Sequence, residues 1–384
     1  MADPVLSQRT LNRTLLARQH LIDRVRAPAL AEIEHLVGMQ AQVPNAPYVG
    51  LWSRLENFEP AELARLVEGR QAVRLGIMRN TLHLVSARDC LSLWPLFAPL
   101  LAQRLRATHF ARELPDVDFD AVVRETRRLL ERQARTFAQL GLALKERWPN
   151  SPAEALAYVA RHLLPLVQVP PRGVWGKRGQ ATWSTAQLWL GQPLVRTPSV
   201  ESVLLRYLAA FGPASVADMA AWSGLSGLRK VVDRLRPDLR SFRDEKGREL
   251  LDIPNGVIQD PTRPVPPRFL PEFDNLLLSH DDRTRVIAPP YRYMVGNGTF
   301  LLDGLVAGIW KPPPPTPSPS SGGGGITGLT ITSFQPITAA QRKGLAEEGE
   351  RLLSFLSPSS DHGRIELAVA PARSAWSRPS TTEQ

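Results

Sequence analysis

Apolar residues recur at helical spacing through most of the chain, interrupted by short strand-like runs, and the order of these runs repeats. Near the N-terminus Leu11, Leu15 and Leu16 fall on one face of a helix that Ser7 can cap, and Leu30, Ile33, Leu36 and Val37 on one face of a second that Pro28 can open. Tyr48 begins a further helix, Pro60 opens one carrying Leu63 and Leu66, and residues 73–78 and 81–85 are two short strands around Arg79-Asn80. With a closing helix, residues 1–115 therefore describe a winged helix-turn-helix. Residues 116–196 repeat the order: helices over 119–133, from Thr136 and over 152–164, then strand-like runs 165–174 and 180–190 joined by Trp175-Gly176-Lys177-Arg178-Gly179. Residues 197–262 repeat it again, with helices over 200–211, 212–222 and 228–235, a turn at Ser223-Gly224-Leu225, and strands 239–242 and 249–253 around Asp244-Glu245-Lys246-Gly247. No literal repeat accompanies this, so the threefold reading rests on element order.

From residue 263 the texture changes to short strands with Gly and Pro turns, at 275–279, 291–295, 299–302, 305–310 and 326–332, with an amphipathic helix over 338–355. This predicts a β-barrel-like domain over 263–371. Residues 312–325 are rich in Pro, Ser and Gly and read as a disordered loop across which 305–310 and 326–332 can pair as a hairpin; 372–384 read as a disordered tail. The fold class expected is α+β, three tandem winged helices plus the β-domain.

Charge narrows the partner. Asp and Glu number 37 against 47 Lys and Arg, a net charge of +10, and the basic residues are mostly arginine. Guanidinium forks suit phosphates and base edges, which points to an acidic polymer, although a high-GC genome also inflates arginine. The single cysteine rules out an intramolecular disulfide and argues against structural zinc. The start of the chain lacks a signal-peptide pattern and no apolar run approaches membrane-spanning length, so a soluble, cytoplasmic protein is expected, with no membrane partner and no cofactor.

The chemistry centres on Gln40-Ala41-Gln42-Val43-Pro44-Asn45-Ala46-Pro47-Tyr48. Pro44 and Pro47 disfavour helix at the residues before them, and in an extended segment Gln40 and Gln42 project the same way. Two amides can orient a water and stabilise developing charge but cannot act as strong bases, which suits a leaving group that is already activated. Taken by spacing alone, the pair also fits two polar residues at a helix end.

The longer string, continuing to Leu51-Trp52-Ser53-Arg54-Leu55, resembles the AlkZ/YcaQ family of winged-helix DNA glycosylases. So do Arg79-Asn80-Thr81-Leu82-His83-Leu84-Val85, residues 270–278 and Asp303-Gly304-Leu305-Val306-Ala307-Gly308-Ile309-Trp310. The resemblance implies that Gln40 and Gln42 are catalytic, where other members carry Gln-x-Asp. It implies a monofunctional glycosylase that removes bulky or crosslinked N7-alkylguanine from double-stranded DNA, probing DNA as a monomer, in repair or in self-resistance to a DNA-alkylating natural product. Alkylation at N7 makes guanine cationic and labile, so positioned amides suffice. His83, Asn45 and Tyr48 are undecided between active-site and structural roles, and Arg79, Arg172, Lys177 and Arg178 are candidate phosphate contacts. Asp274, His280, Asp281 and Asp282 raise a metal site, but turn capping and pairing with Arg283 or Arg285 is the preferred reading, and no metal is expected. The competing class is a winged-helix transcriptional regulator or non-catalytic DNA-binding protein; a regulator would place specificity in a recognition helix.

Overall fold

The computed structural model describes residues 3–312, 328–357 and 364–369. Ser7 caps Gln8–Arg18 by accepting from the Thr10 N–H, and the helix buries Leu11, Leu15 and Leu16. The next helix, Ala29–His35, ends earlier than the prolines require. Val37 and Gly38 take left-handed φ of 55° and 94°. A Cβ at Gly38 would stand 2.7 Å from Val85 Cγ1, so the chain turns there against the neighbouring strand, where only glycine fits. Helix resumes at Ala46–Arg54 despite Pro47, because a proline in the first turn removes an N–H that has no helical partner.

The wings of the first two predicted units are joined. Ala72–Ile77 and Thr81–Ser86 form the expected hairpin, from Ala72 opposite Ser86 to Ile77 opposite Thr81. Met39–Gln40 adds to one side of it with Gln40 opposite His83, and Leu166–Val169 adds to the other, followed by Thr182–Thr185. The result is a single five-stranded sheet spanning residues from both units. The expected strand 180–190 is strand only at Thr182–Thr185, because Thr185 caps a short helix, Ala186–Leu190, that Gly191 ends at φ 66°. Helices Phe119–Arg132, Phe137–Lys145 and Ala153–Leu163 pack their own apolar cluster around Leu130, Leu140, Leu156 and Trp183.

Residues 197–262 contain helices Val200–Phe211, Val216–Ser223 and Leu228–Leu235, then the hairpin of Arg240–Asp244 with Glu249–Asp252. Val5–Leu6 joins that hairpin in parallel. The last sheet is an open one, ordered Arg364–Val369, Gly328–Ser333, Leu305–Lys311, Gly298–Leu302, Arg268–Leu270, so among the described residues the barrel-like expectation is corrected to a five-stranded sheet with two edges. Two predicted strands are 3-10 turns instead. The Asp274 carboxylate accepts from Leu276 N–H and tightens Asn275–Leu277, and Pro289 opens Pro289–Gly296. The hairpin expected across the Pro/Gly loop is present, with Lys311 opposite Thr330. Residues 313–325 of the expected loop, and the tail at 372–384, lie outside the described residues. One continuous core joins the N-terminal helices, residues 203–251 and the last sheet, running through Leu15, Leu51, Tyr207, Phe269 and Phe300.

Many arginines serve that interior. Arg54 reaches Asp274, Arg18 reaches Asp252, Arg206 reaches Asp89 and Arg24 reaches Glu348, each tying distant parts of the chain together. Arginine abundance therefore reports internal joints as well as any surface for an acidic polymer. No helix among the described residues is long and apolar enough to cross a membrane.

Candidate active site

The Gln-x-Gln segment is extended and held along both sides. Ala41, between the two glutamines, is fully buried; its N–H donates to the Leu82 carbonyl at 2.7 Å and its carbonyl accepts from Arg74 at 2.5 Å. The Gln40 N–H donates to Asn275 Oδ1 at 3.2 Å, while Asn275 Nδ2 donates to the Gly38 carbonyl at 2.6 Å. Asn275 thus clamps the strand from the 3-10 turn that Asp274 starts, and Asp274 is itself fixed by two bonds from Arg54 at 2.8 and 2.9 Å. Arg74 is buried and has no carboxylate in contact among the described residues; burial and the Arg172 charge lower its pKa to about 10. A Cβ on Gly173, at φ 86°, would come within 2.8 Å of the Arg74 guanidinium, so glycine is needed for that arginine to reach Ala41.

At the hairpin tip Arg79 and Asn80 both take left-handed φ, 56° and 62°. The Arg79 guanidinium turns inward. It donates to the Trp222 carbonyl and to Gln40 Oε1 at 3.0 Å, and lies 3.4 Å from His83 Nε2. His83 is buried, and its Nδ1 meets the Thr81 carbonyl at 3.0 Å, which places the ring proton on Nδ1 and leaves Nε2 as an acceptor. Burial, then the Arg79 charge, depress its pKa to about 3, so it is neutral at physiological pH and supplies no acid there. Gln42 is exposed, and its Oε1 accepts weakly from Leu82 N–H at 3.4 Å.

A histidine with depressed folded-state pKa keeps the fold fully stable above its unfolded value near 6.5, and stability drains away as pH falls from there toward 3, because only the unfolded chain takes the proton. We expect His83→Gln to lose less melting temperature than the parent between pH 7 and pH 5, and base release by the parent to show no inflection near 6.5 from this residue. Equal melting losses in the two proteins would contradict the buried neutral ring.

The structure brings Gln40, Arg79 and His83 together, with Gln42 against the neighbouring Leu82, and places the other candidates elsewhere. Tyr48 is buried, its hydroxyl donating to the Gly173 carbonyl and accepting from Trp175 N–H, both at 3.0 Å; burial raises its pKa to about 12. It fastens the loop at 171–179 to the helix that follows Gln42. Asn45 is exposed at the start of that helix and makes no side-chain cap. Arg172, Lys177 and Arg178 are exposed on the loop, Lys177 paired with Glu68 at 2.5 Å and Arg172 reaching the Gly179 carbonyl at 3.4 Å. Asp274 forms its ion pair with Arg54, and Asp282 with Lys246 and Arg248, instead of the arginines adjacent in sequence. Among the described residues no three His, Cys, Asp or Glu gather to hold a metal. Sequence reasoning missed Arg74 and Asn275. A lone arginine in the apolar run of residues 73–78 was the available signal for the first; Asn275 was hidden by reading its turn as a strand.

Comparison with known proteins places the chain in a family. The model of the AlkZ-like DNA glycosylase family matches residues 33–355, most of the chain, and the chain belongs to that family. Its fold is similar to that of Streptomyces sahachiroi DNA glycosylase AlkZ, with a TM-score of 0.71 at 20% identity, over 95% of this chain and 100% of that one. A comparison with curated proteins finds no match. Family membership decides for a DNA-binding repair glycosylase over a transcriptional regulator.

Proposed function

We propose that the protein hydrolyses the N-glycosidic bond of bulky or crosslinked N7-alkylguanine in double-stranded DNA, with Gln40 and Gln42 as the catalytic pair. The observation that carries this reading is the amide pair itself, set on a backbone pinned by Leu82, Arg74 and Asn275, with no carboxylate among its hydrogen-bond partners in the described residues. Such a pair suits a cationic base that needs no strong acid to leave. The C1′–N9 electrons pass to the base and cancel its charge, water forms the new C1′–O bond, and its proton goes to solvent. The partners of the pair are an arginine and backbone groups rather than an amine, which supports hydrolysis without a lyase step. The three-unit reading of residues 1–262 as winged helices, and a cytoplasmic monomer acting in repair or self-resistance, complete the proposal. The test is release of the free modified base from duplex DNA carrying N7-alkylguanine; intact DNA after prolonged single-turnover incubation would overturn it.

The net charge of +10 carries an accompanying expectation. Binding to undamaged duplex should be independent of sequence and weaken with salt, log K falling by about 0.9 per decade of salt for each phosphate neutralised. Titrations between low and moderate salt measure the slope, and a salt-resistant preference for one sequence would contradict it.

A further inference from the structure

We infer that Arg79 is a positioning residue: it fixes which end of the Gln40 amide faces the reacting nucleotide, so that Gln40 acts there as a hydrogen-bond donor. The inference rests on the proposed catalytic role of Gln40 and asks which half of the amide performs it.

A glutamine amide presents an acceptor oxygen on one side and a donor NH2 on the other, and rotation of the terminal torsion exchanges them. Arginine has only donors. With the Arg79 guanidinium 3.0 Å from the Gln40 amide, the atom facing it must be the oxygen, and the NH2 is directed to the other side. Gln40 is only 7% exposed, so little water competes for that choice.

Arg79 is itself held. Its backbone stands in the left-handed region at φ 56°, which a non-glycine residue occupies only when its surroundings enforce it. The turn at Gly224 packs onto it so closely that a Cβ there would lie 3.2 Å from Arg79 N. The guanidinium is tied to the Trp222 carbonyl and faces the lone pair of a His83 ring whose proton is spent on Thr81. All three acceptors around it are neutral, and Arg79 forms no ion pair with a carboxylate among the described residues. An unshared positive charge on the amide oxygen draws electron density toward it and makes the opposite NH2 a stronger donor. Gln42 has the same polarity, its oxygen turned to Leu82 N–H. Both amides therefore offer N–H groups, and these match the departing guanine, which gains electron density as the C1′–N9 pair moves onto it.

A double-mutant cycle on single-turnover release of 7-methylguanine from a duplex tests this. Arg79→Met is expected to lower the rate about tenfold or more, the effect of one charged hydrogen bond, with duplex affinity little changed. In a Gln40→Ala background the same substitution should cost less than about twofold, since no amide remains to orient. Equal factors in both backgrounds would overturn the positioning role while leaving Gln40 catalytic. Wild-type release by Gln40→Ala alone would instead sink the catalytic reading beneath it. Gln40→Glu decides without touching Arg79: it keeps the acceptor and lacks the donor, so it should be as slow as Gln40→Ala, and an active Gln40→Glu would mean that the oxygen performs the chemistry.

Discussion

Gln40→Ala and Gln42→Ala are each expected to slow base release by roughly 10²-fold or more, by analogy with removing one preorganised donor from an oxyanion site. The two should differ in what else they disturb. Gln42 is exposed and, among the described residues, makes one long contact, to Leu82 N–H, so its truncation should leave melting temperature unchanged. Gln40→Ala strips one of three acceptors from the half-buried Arg79 guanidinium, and a stranded buried donor costs about 1–3 kcal/mol, so a small melting loss should accompany the kinetic one. Affinity for undamaged duplex should stay near the parent in both, because neither amide carries charge. Single-turnover release, thermal melting and a duplex titration separate the three effects. A double substitution that still releases base at nearly the parent rate would remove the pair from the mechanism.

How far the chain revealed this in advance differs by element. Local signals were strong where one residue sets one turn: Ser7 caps its helix as read, and the hairpin around Arg79-Asn80 is in place. The motif at residues 40–42 was legible as extended, but for an incomplete reason. The prolines mark the exit from helix, whereas the turn is made at Val37 and Gly38, with Gly38 set against Val85, a contact 47 residues away that no local pattern carries. Sheet partners were the least legible. Nothing in residues 166–169 announces that they will pair with 72–77 and merge two predicted wings, because edge pairing depends on how units dock. The inward partners of Arg79 were not legible for a related reason. A loop arginine in a basic chain reads as a phosphate contact, and only the fold shows Trp222, Gln40 and His83 converging on its guanidinium.

Asp274→Ala should be the most damaging single change to stability among the contacts around the site. Arg54 is fully buried and Asp274 nearly so, and they meet through two hydrogen bonds at 2.8 and 2.9 Å. Arg54 keeps the Gly50 carbonyl at 3.0 Å and Gln19 Oε1 at 3.2 Å, but its nearest remaining carboxylate is Glu32 at 4.0 Å. Removing one partner of a buried pair leaves an uncompensated charge and costs about 3–5 kcal/mol, far more than the net worth of the pair. The effect should reach the chemistry as well. Asp274 accepts from Leu276 N–H to form the turn that carries Asn275, and Asn275 holds both Gly38 and Gln40 by their backbone. Asn275→Ala should therefore slow base release with a smaller loss of stability, whereas Asp274→Ala should lower both. Asp274→Asn, which keeps an acceptor for Leu276 and Arg54 but no charge, should fall between. Urea unfolding followed beside single-turnover release measures the two axes together. An Asp274→Ala protein destabilised by less than about 1 kcal/mol would show that Glu32 moves in to serve Arg54, and that the clamp on Gln40 does not depend on this pair.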